Sequence, residues 1–173
     1  MFDWGSMARD DDDISAFVES RWGRLVRSAV LLGCSSSEAE DVVQSALIRC
    51  VVHWPKVRSA DDPDAYVHRI LINTFTSARR RRWLREHAVA VVPENASPDQ
   101  IGEVDVADAV VRALRRLGVD QRTAVVLRYY SGLSERQMAS VLGVAPGTVK
   151  SRLARGLRAL SEDPQLVELR GNP

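Results

Sequence analysis

Cysteine is nearly absent: the 173 residues hold two, Cys34 and Cys50. Two thiols cannot staple a small disulfide scaffold, and they suit a reducing compartment in which both stay free and mostly buried. Cys50 and His53 lie one helical turn apart, but no further ligand pair follows, so no metal site is expected. Long apolar runs are missing as well, and none approaches bilayer-spanning length. The N-terminus carries Asp10 to Asp13 where a secretory leader would carry basic and then apolar residues. A cytoplasmic protein without membrane insertion is therefore expected. No Gly-rich phosphate loop or nucleophile–base pair occurs, so catalytic residues and cofactors are not expected and an enzyme is disfavoured. Strand-type alternation and internal repeats are also wanting, which points to an all-α chain.

What is locally missing is one sign of charge. The net charge is only +1, with 24 basic and 23 acidic residues, 45% hydrophobic and 27% charged overall. Along the chain, however, the two signs are segregated. Residues 65–85 contain no acid, residues 86–111 contain no Lys or Arg, and residues 141–160 again contain no acid.

Residues 134–160 (SERQMASVLGVAPGTVKSRLARGLRAL) read as two helices and a tight turn. Ser134 and Gln137 have capping-box spacing. Gly143 sits where a left-handed stop is cheapest, and Pro146 suits a first helical turn because its missing N–H costs nothing there. Val149, Leu153, Leu157 and Leu160 make an apolar stripe, while Lys150, Ser151, Arg152, Arg155 and Arg158 lie off it. A helix, a Gly-containing turn and a basic helix form the pattern of a DNA-reading helix-turn-helix.

Upstream, residues 1–13 read as a flexible tail. A long amphipathic helix is expected from Ile14 to near Gly33, with Phe17, Val18, Leu25, Val26, Ala29, Val30 and Leu32 on its apolar side. A second helix starts at Ser35–Ser37, with Ser37 and Glu40 as its capping box, and ends at Pro55. Val42, Val43, Ala46, Leu47, Cys50, Val51 and Trp54 form its buried face; Asp41, Gln44, Ser45 and Arg49 line the other. Residues 55–64 read as a loop. A third helix over residues 65–85 carries Tyr66, Val67, Ile70, Leu71, Phe75 and Ala78 on one side. Its charges are Arg69, Arg79, Arg80, Arg81, Arg82 and Arg85. Aromatic residues Tyr66, Phe75 and Trp83 are interleaved with these arginines, as in proteins that hold single strands with charge on the backbone and rings on the bases.

Residues 86–104 are rich in acid, Pro and Gly and read as a linker. Stretched, it reaches roughly 65 Å at about 3.4 Å per residue. That is about the separation of two major-groove sites two turns apart, at roughly 34–36 Å per turn. A second helical domain follows over residues 105–163, with Val106, Val110, Ala113, Leu114 and Leu117 in its first helix. Asp120 is expected to cap the next helix, whose Ala124, Val125, Leu127 and Tyr130 pack beneath the helix-turn-helix. Residues 164–173 read as a tail. The fold expected is two small helical domains joined by a flexible acidic linker.

Three blocks, AEDVVQSALIRC with Trp54, AYVHRILINTFTSARRRRW, and LRYYSGLSERQMASVLGVAPGTVKSRLARGLRAL, resemble extracytoplasmic-function (ECF) sigma factors, most closely the actinobacterial SigE-like group. The resemblance covers residues 14–163, and the three blocks in this order are far more specific than the last alone. It implies a region 2 domain over residues 14–85 and a region 4 domain over residues 105–163. Asp41 and Gln44 would dock on the clamp coiled coil of the polymerase β′ subunit, with Leu47 as a nearby anchor. Val57, Arg58, Tyr66, Arg69 and Asn73 would meet the melted −10 element, and Arg79, Arg80, Arg81 and Arg82 would hold phosphates upstream. Asn73 offers donor and acceptor together, which suits the edge of an unstacked base. Thr148, Lys150, Ser151, Arg152, Ala154 and Arg155 would face the −35 duplex. Arg155, and Arg152 where its face permits, would fork onto guanine edges. The underside of the second domain would bind the β flap. An anti-sigma protein is the family's habitual partner, with exceptions, and the free chain is expected to be a monomer. Two positions depart from the family pattern: Ser77 stands where many relatives have an acid, and Ala145 where many have Ser. The rival readings are a free-standing helix-turn-helix regulator with a helical sensory half, and a helical adaptor. The first leaves Asn73 and the arginine cluster without a role, and the second wastes both basic helices.

Overall fold

The computed structural model describes residues 4–88 and 106–171, and among these no strand occurs. Helix α1 (Trp4–Leu31) begins well before the expected start at Ile14, running through the acidic stretch instead of fraying there. It stops because Gly33 takes φ +109°, a conformation that a Cβ makes costly. The chain is still extended at Ser35 (φ −68°, ψ 168°), so Ser35, not Ser37, caps α2 (Ser36–Val52). The capping box is Ser35 with Glu38, which replaces the expected Ser37–Glu40 pair.

Pro55 does not end α2 directly. α2 closes at His53, and Pro55 lies in the first turn of a short helix, α3 (Trp54–Arg58). The first four residues of the expected 55–64 loop are thereby helical, because Pro is favoured at the start of a helix. The turn carries Trp54 and Val57 into the core, where Trp54 meets Phe17 edge-to-face at 5.0 Å. Helix α4 (Pro63–Ala88) follows, capped by Asp62 Oδ1, which accepts the Ala65 N–H at 2.9 Å. Its last residues continue past the expected end; residues 89–105, most of the expected linker, lie outside the described residues.

In the second half, α5 (Val106–Arg116) leads to α6 (Val119–Val125) and on into a wider π-type turn (Val126–Tyr130). Gly118 occupies the N-cap of α6 without a side-chain bond, so Asp120 is not the cap; it sits inside the first turn. The helix-turn-helix is α7 (Glu135–Leu142) and α8 (Pro146–Ser161). Here the expected features are present. Gln137 N–H donates to Ser134 Oγ at 3.3 Å, Ser134 N–H donates to Gln137 Oε1 at 2.6 Å, and Gly143 takes φ +64°. The expected C-terminal tail instead forms α9 (Pro164–Gly171), capped by Asp163 and tied back to α5 by an Arg116–Asp163 ion pair of 2.6 Å.

The two halves share one continuous apolar core, running from Phe17, Leu32, Val43 and Leu71 to Leu114, Leu127, Met138 and Val149. Leu157 is not on the buried stripe of α8. Gly156 takes the buried place, leaving Leu157 41% exposed. Cys34 and Cys50 are free and buried, and burial pushes both thiols up to about 11, so they are poor nucleophiles.

Candidate nucleic-acid interface

Helix α4 presents Arg69, Asn73, Thr76, Arg80 and Trp83 at alternating intervals of four and three residues, so they share one face. All five are exposed. The opposite side packs Val67, Leu71, Phe75 and half-buried Ala78 into the core. Thr74 fixes the rotation of α4 against α2: its Oγ1 donates to Ile70 O at 2.8 Å and accepts from Arg49 Nη1 at 3.2 Å. Thr76 was not among the expected site residues, although its position midway between Asn73 and Arg80 is the signal that finds it.

The four consecutive arginines do not all share one face: Arg79, Arg81 and Arg82 line the cleft against α2, and Arg80 lies apart from it with Asn73 and Trp83. Arg82 pairs with Glu38 of α2, whose carboxyl is held below its ordinary value chiefly by the Ser35 backbone N–H. Arg79 turns toward the second half, where it lines a groove with Gly118, Thr148, Arg152 and Arg155. Arg80 stays with Asn73 and Trp83, and Arg81 lines a cleft between α2 and α4 with Asp41 and Arg85. A helical period of 3.6 spreads four successive residues around the cylinder, so this dispersal follows from geometry.

Two expected site residues are corrected. Val57 is 1% exposed, because α3 turns it inward, and it cannot touch a strand without leaving the core. Arg58 beside it is exposed, while Tyr66 is half-buried against the core. Leu47 is 4% exposed, on the inner face of α2, and cannot anchor a partner. The outer face carries Asp41, Gln44, Ile48 and Val52, with Ile48 56% and Val52 69% exposed. An isoleucine four residues after Gln44, on a polar face, was the available signal.

In the second half, Lys150, Ser151, Ala154 and Arg155 are exposed along α8, and Thr148 is half-buried. Arg155 reaches back to its own helix, donating from Nε to Ser151 O at 3.1 Å and from Nη2 to Ser151 Oγ at 3.3 Å. Arg152 is half-buried and held by Asp120. Lys150 lies 3.8 Å from Glu135, a loose surface pair of little energetic weight. An acid-free basic helix following a capped turn can enter a major groove, and the amide-and-arginine face of α4 can meet unpaired bases.

Comparison with known proteins agrees with this geometry. A family model for sigma-70 region 2 matches residues 18–85, and one for sigma-70 region 4 matches residues 107–160. The RNA polymerase sigma-E factor of Streptomyces coelicolor is 34% identical over 151 residues, covering 87% of this chain and 85% of that protein. The ECF RNA polymerase sigma factor SigL of Mycobacterium tuberculosis is 30% identical over 161 residues, covering 90% and 91%. The chain belongs to the ECF sigma factors of the sigma-70 family.

As an ECF sigma factor it binds core RNA polymerase and promoter DNA and directs transcription initiation. The region 2 match takes in α2, α3 and α4 as far as Arg85, and the region 4 match takes in α7 and α8 as far as Leu160. Among solved structures, the sigma factor RpoE of Bartonella quintana, co-crystallised with the anti-sigma factor NepR, superposes with a TM-score of 0.71 at 32% identity. The match covers 87% of this chain and 95% of that one. No helix among the described residues of this sigma factor is long and apolar enough to cross a membrane.

Proposed function

We propose that this sigma factor divides promoter recognition between α4 and α8, and polymerase docking between the outer face of α2 and the region 4 domain. Asn73 reads the edge of an unstacked base of the −10 element. Arg69 and Arg80 neutralise phosphate beside it, and Trp83 offers a stacking surface. Arg58, Arg79, Arg81 and Arg82 supply further phosphate contacts that set register, not sequence. On α8, Arg155 reads guanine edges of the −35 duplex, Ser151 and Ala154 approach the groove, and Thr148 and Lys150 hold phosphate near the helix start. Arg152 joins them once it leaves Asp120. Asp41, Gln44, Ile48 and Val52 meet the polymerase clamp, with Ile48 in the anchoring role first expected of Leu47, and the region 4 domain meets the flap. The chemistry of RNA synthesis belongs to the polymerase, so this chain acts as an initiation factor and not as an enzyme, in the cytoplasm where that polymerase works. An anti-sigma partner is part of the proposal, supported by the RpoE relative solved with one.

The observation that carries this reading is the exposed, acid-free face Arg69–Asn73–Thr76–Arg80–Trp83. A helix-turn-helix regulator binding duplex DNA has no use for such a face. Permanganate footprinting of complexes with core polymerase tests it. Asn73→Ala is expected to retain polymerase binding and lose reactivity of unpaired thymines around −10. Unchanged reactivity would remove Asn73 from the opening step.

A further inference from the structure

Between α2 and α4 lies a cleft of about 250 Å³ whose two walls differ in charge. The α4 wall carries Arg79, Arg81, Arg82 and Arg85, and the α2 wall carries Glu38 and Asp41, leaving two cations in excess. Arg82 is taken by Glu38 across the cleft. Those side chains are 49% and 36% exposed, so this strap is a surface pair of little weight and opens readily. Arg79, Arg81 and Arg85 pair with no carboxylate among the described residues. The floor is apolar, made by buried Cys34, Val42 and Phe75 and by half-buried Ala78. Arg122 of α6 adds to the positive field near Cys34. Its guanidinium lies against the neighbouring turn at Gly33, with no carboxylate beside it.

Walls of opposite sign can serve simply to neutralise each other. Here they do not, because Asp41 pairs with neither Arg81 nor Arg85. Surplus guanidinium groups above an apolar floor suit an anion that carries a body. The planar fork of arginine matches phosphate oxygens in pairs. A phosphate monoester brings a charge of about −1.5 to −2 at neutral pH, which balances the excess. A phosphodiester, with a single charge, balances only half of it. On the other wall Asp41 and the exposed Ser45 accept hydrogen bonds from hydroxyls, and Asp41 repels a second acid. The volume falls below the roughly 300–1,000 Å³ of sites that enclose a drug-sized ligand. The cleft therefore holds a phosphate and one sugar or ring, and leaves any remainder outside.

We propose that the α2–α4 cleft is a binding site for a nucleoside monophosphate, with the phosphate between Arg81 and Arg85, the sugar hydroxyls on Asp41, and the apolar part against Phe75 and Ala78. A free nucleotide and a DNA strand offer related phosphate chemistry, and the charge of the cleft favours the free monoester. Asp41 also stands on the face that meets the polymerase clamp, so the nucleotide binds beside the docking surface.

Isothermal titration calorimetry of the full chain at physiological salt tests the site with three probes: adenosine monophosphate, inorganic phosphate, and adenylyl-adenosine, a phosphodiester without a terminal phosphate. Saturable binding of the monophosphate is expected. Each of the other two should bind at least about tenfold more weakly, the worth of one charge-assisted hydrogen bond. Arg85→Ala should weaken the monophosphate by a similar factor. Ser45→Phe sets a ring in the cleft, leaves every charge in place, and should abolish binding. Arg80→Ala removes the same charge from the other face of α4 and should bind the monophosphate as wild type does. Circular dichroism identical to wild type shows that each variant folds. No saturable binding by wild type, equal losses in Arg85→Ala and Arg80→Ala, or undisturbed binding in Ser45→Phe would each overturn the site. Adenylyl-adenosine bound as tightly as the monophosphate would overturn the free nucleotide as its ligand and assign the cleft to a DNA strand.

Discussion

Arg152 of the reading helix and Asp120 at the start of α6 form an ion pair, with Nη2 2.8 Å from Oδ2. The arginine side chain is 21% exposed and the aspartate 70%, so the pair lies at the surface and is worth about 0–1 kcal/mol. That is small beside a phosphate or guanine contact, yet it sets the resting direction of Arg152. Asp120→Asn is expected to release the guanidinium and add one cation to the DNA-facing side. The slope of log affinity for a −35 duplex against log salt should steepen by about 0.9, the increment for one further phosphate neutralised. Fluorescence anisotropy across a salt series measures it, and an unchanged slope would place Arg152 outside the contact.

Arg155 is exposed on the same helix and braced by Ser151 of its own turn. Arg155→Ala should reduce discrimination between −35 variants by about 1–3 kcal/mol at the base pair it reads, while leaving helix content unchanged. Competition binding across single-base variants of the −35 site decides this. A uniform loss at every variant would make it a phosphate contact instead.

Gly156 lies where α8 packs closely on α6. A Cβ there would lie 2.8 Å from Val125 Cγ2 and 3.4 Å from Gln121 O. Alanine should be destabilising even though it raises helix propensity by about 1 kcal/mol, since valine's branched side chain has little room to give. Gly156→Val should cost on the order of 3 kcal/mol by overpacking. Urea unfolding of the full chain measures both, and a Gly156→Val protein as stable as wild type would mean that the two helices slide apart readily.

His68 is 8% exposed, and its Nδ1 lies 2.8 Å from Asp64 O. Burial holds its pKa below the ordinary 6.5, with Arg24 of α1 adding to the effect and Asp64 and Asp62 opposing it. Tyr130 and Ser131 face it from the other half. The unfolded chain therefore takes up this proton at a higher pH than the folded one. Stability from His68 is complete above pH 6.5 and declines as pH falls below it, by at most about 1.4 kcal/mol per pH unit. The carboxyls of Glu38, Asp62 and Asp163 are held below their ordinary values, mainly by hydrogen bonds from Ser35, Ala65 and Arg116 respectively. Their contribution is present at neutral pH and is lost only in more acid solution, below 4.5 for Glu38 and below 3.8 for the two aspartates. Denaturant midpoints between pH 7 and pH 5 should fall in wild type and fall less in His68→Gln. Equal slopes would contradict the assignment.

The cap, turn and helix starts of the helix-turn-helix were legible, because Ser134, Gln137, Gly143 and Pro146 each have a local reason to stand where they do, but the buried place of Gly156 in front of Leu157 was not. The rotation of α4 was legible in outline, from apolar spacing and the absence of acid. Less could be read where several local signals competed. Ser35, Ser36 and Ser37 are equivalent cap candidates until the Gly33 turn decides between them. Pro55 could stop one helix or start another, and that choice buried Val57. Leu47 is expected both on the buried face of α2 and as a polymerase anchor; its burial keeps the first reading and removes the second, and the exposed neighbour Ile48 is the one free to touch a partner. The contact between the two halves is the least local feature. Asp62 accepts a hydrogen bond from Gln137 Nε2, although the two are 75 positions apart and each already has a complete local role as a cap.

The most direct measurement is run-off transcription with purified core RNA polymerase on genomic fragments, with start sites mapped for wild type and Asn73→Ala. Two-site recognition predicts discrete starts that require both chain and core, with −35-like and −10-like elements upstream of each. It also predicts their loss in Asn73→Ala although that variant still binds core. No specific start in the presence of core, or unaltered starts from Asn73→Ala, would contradict it.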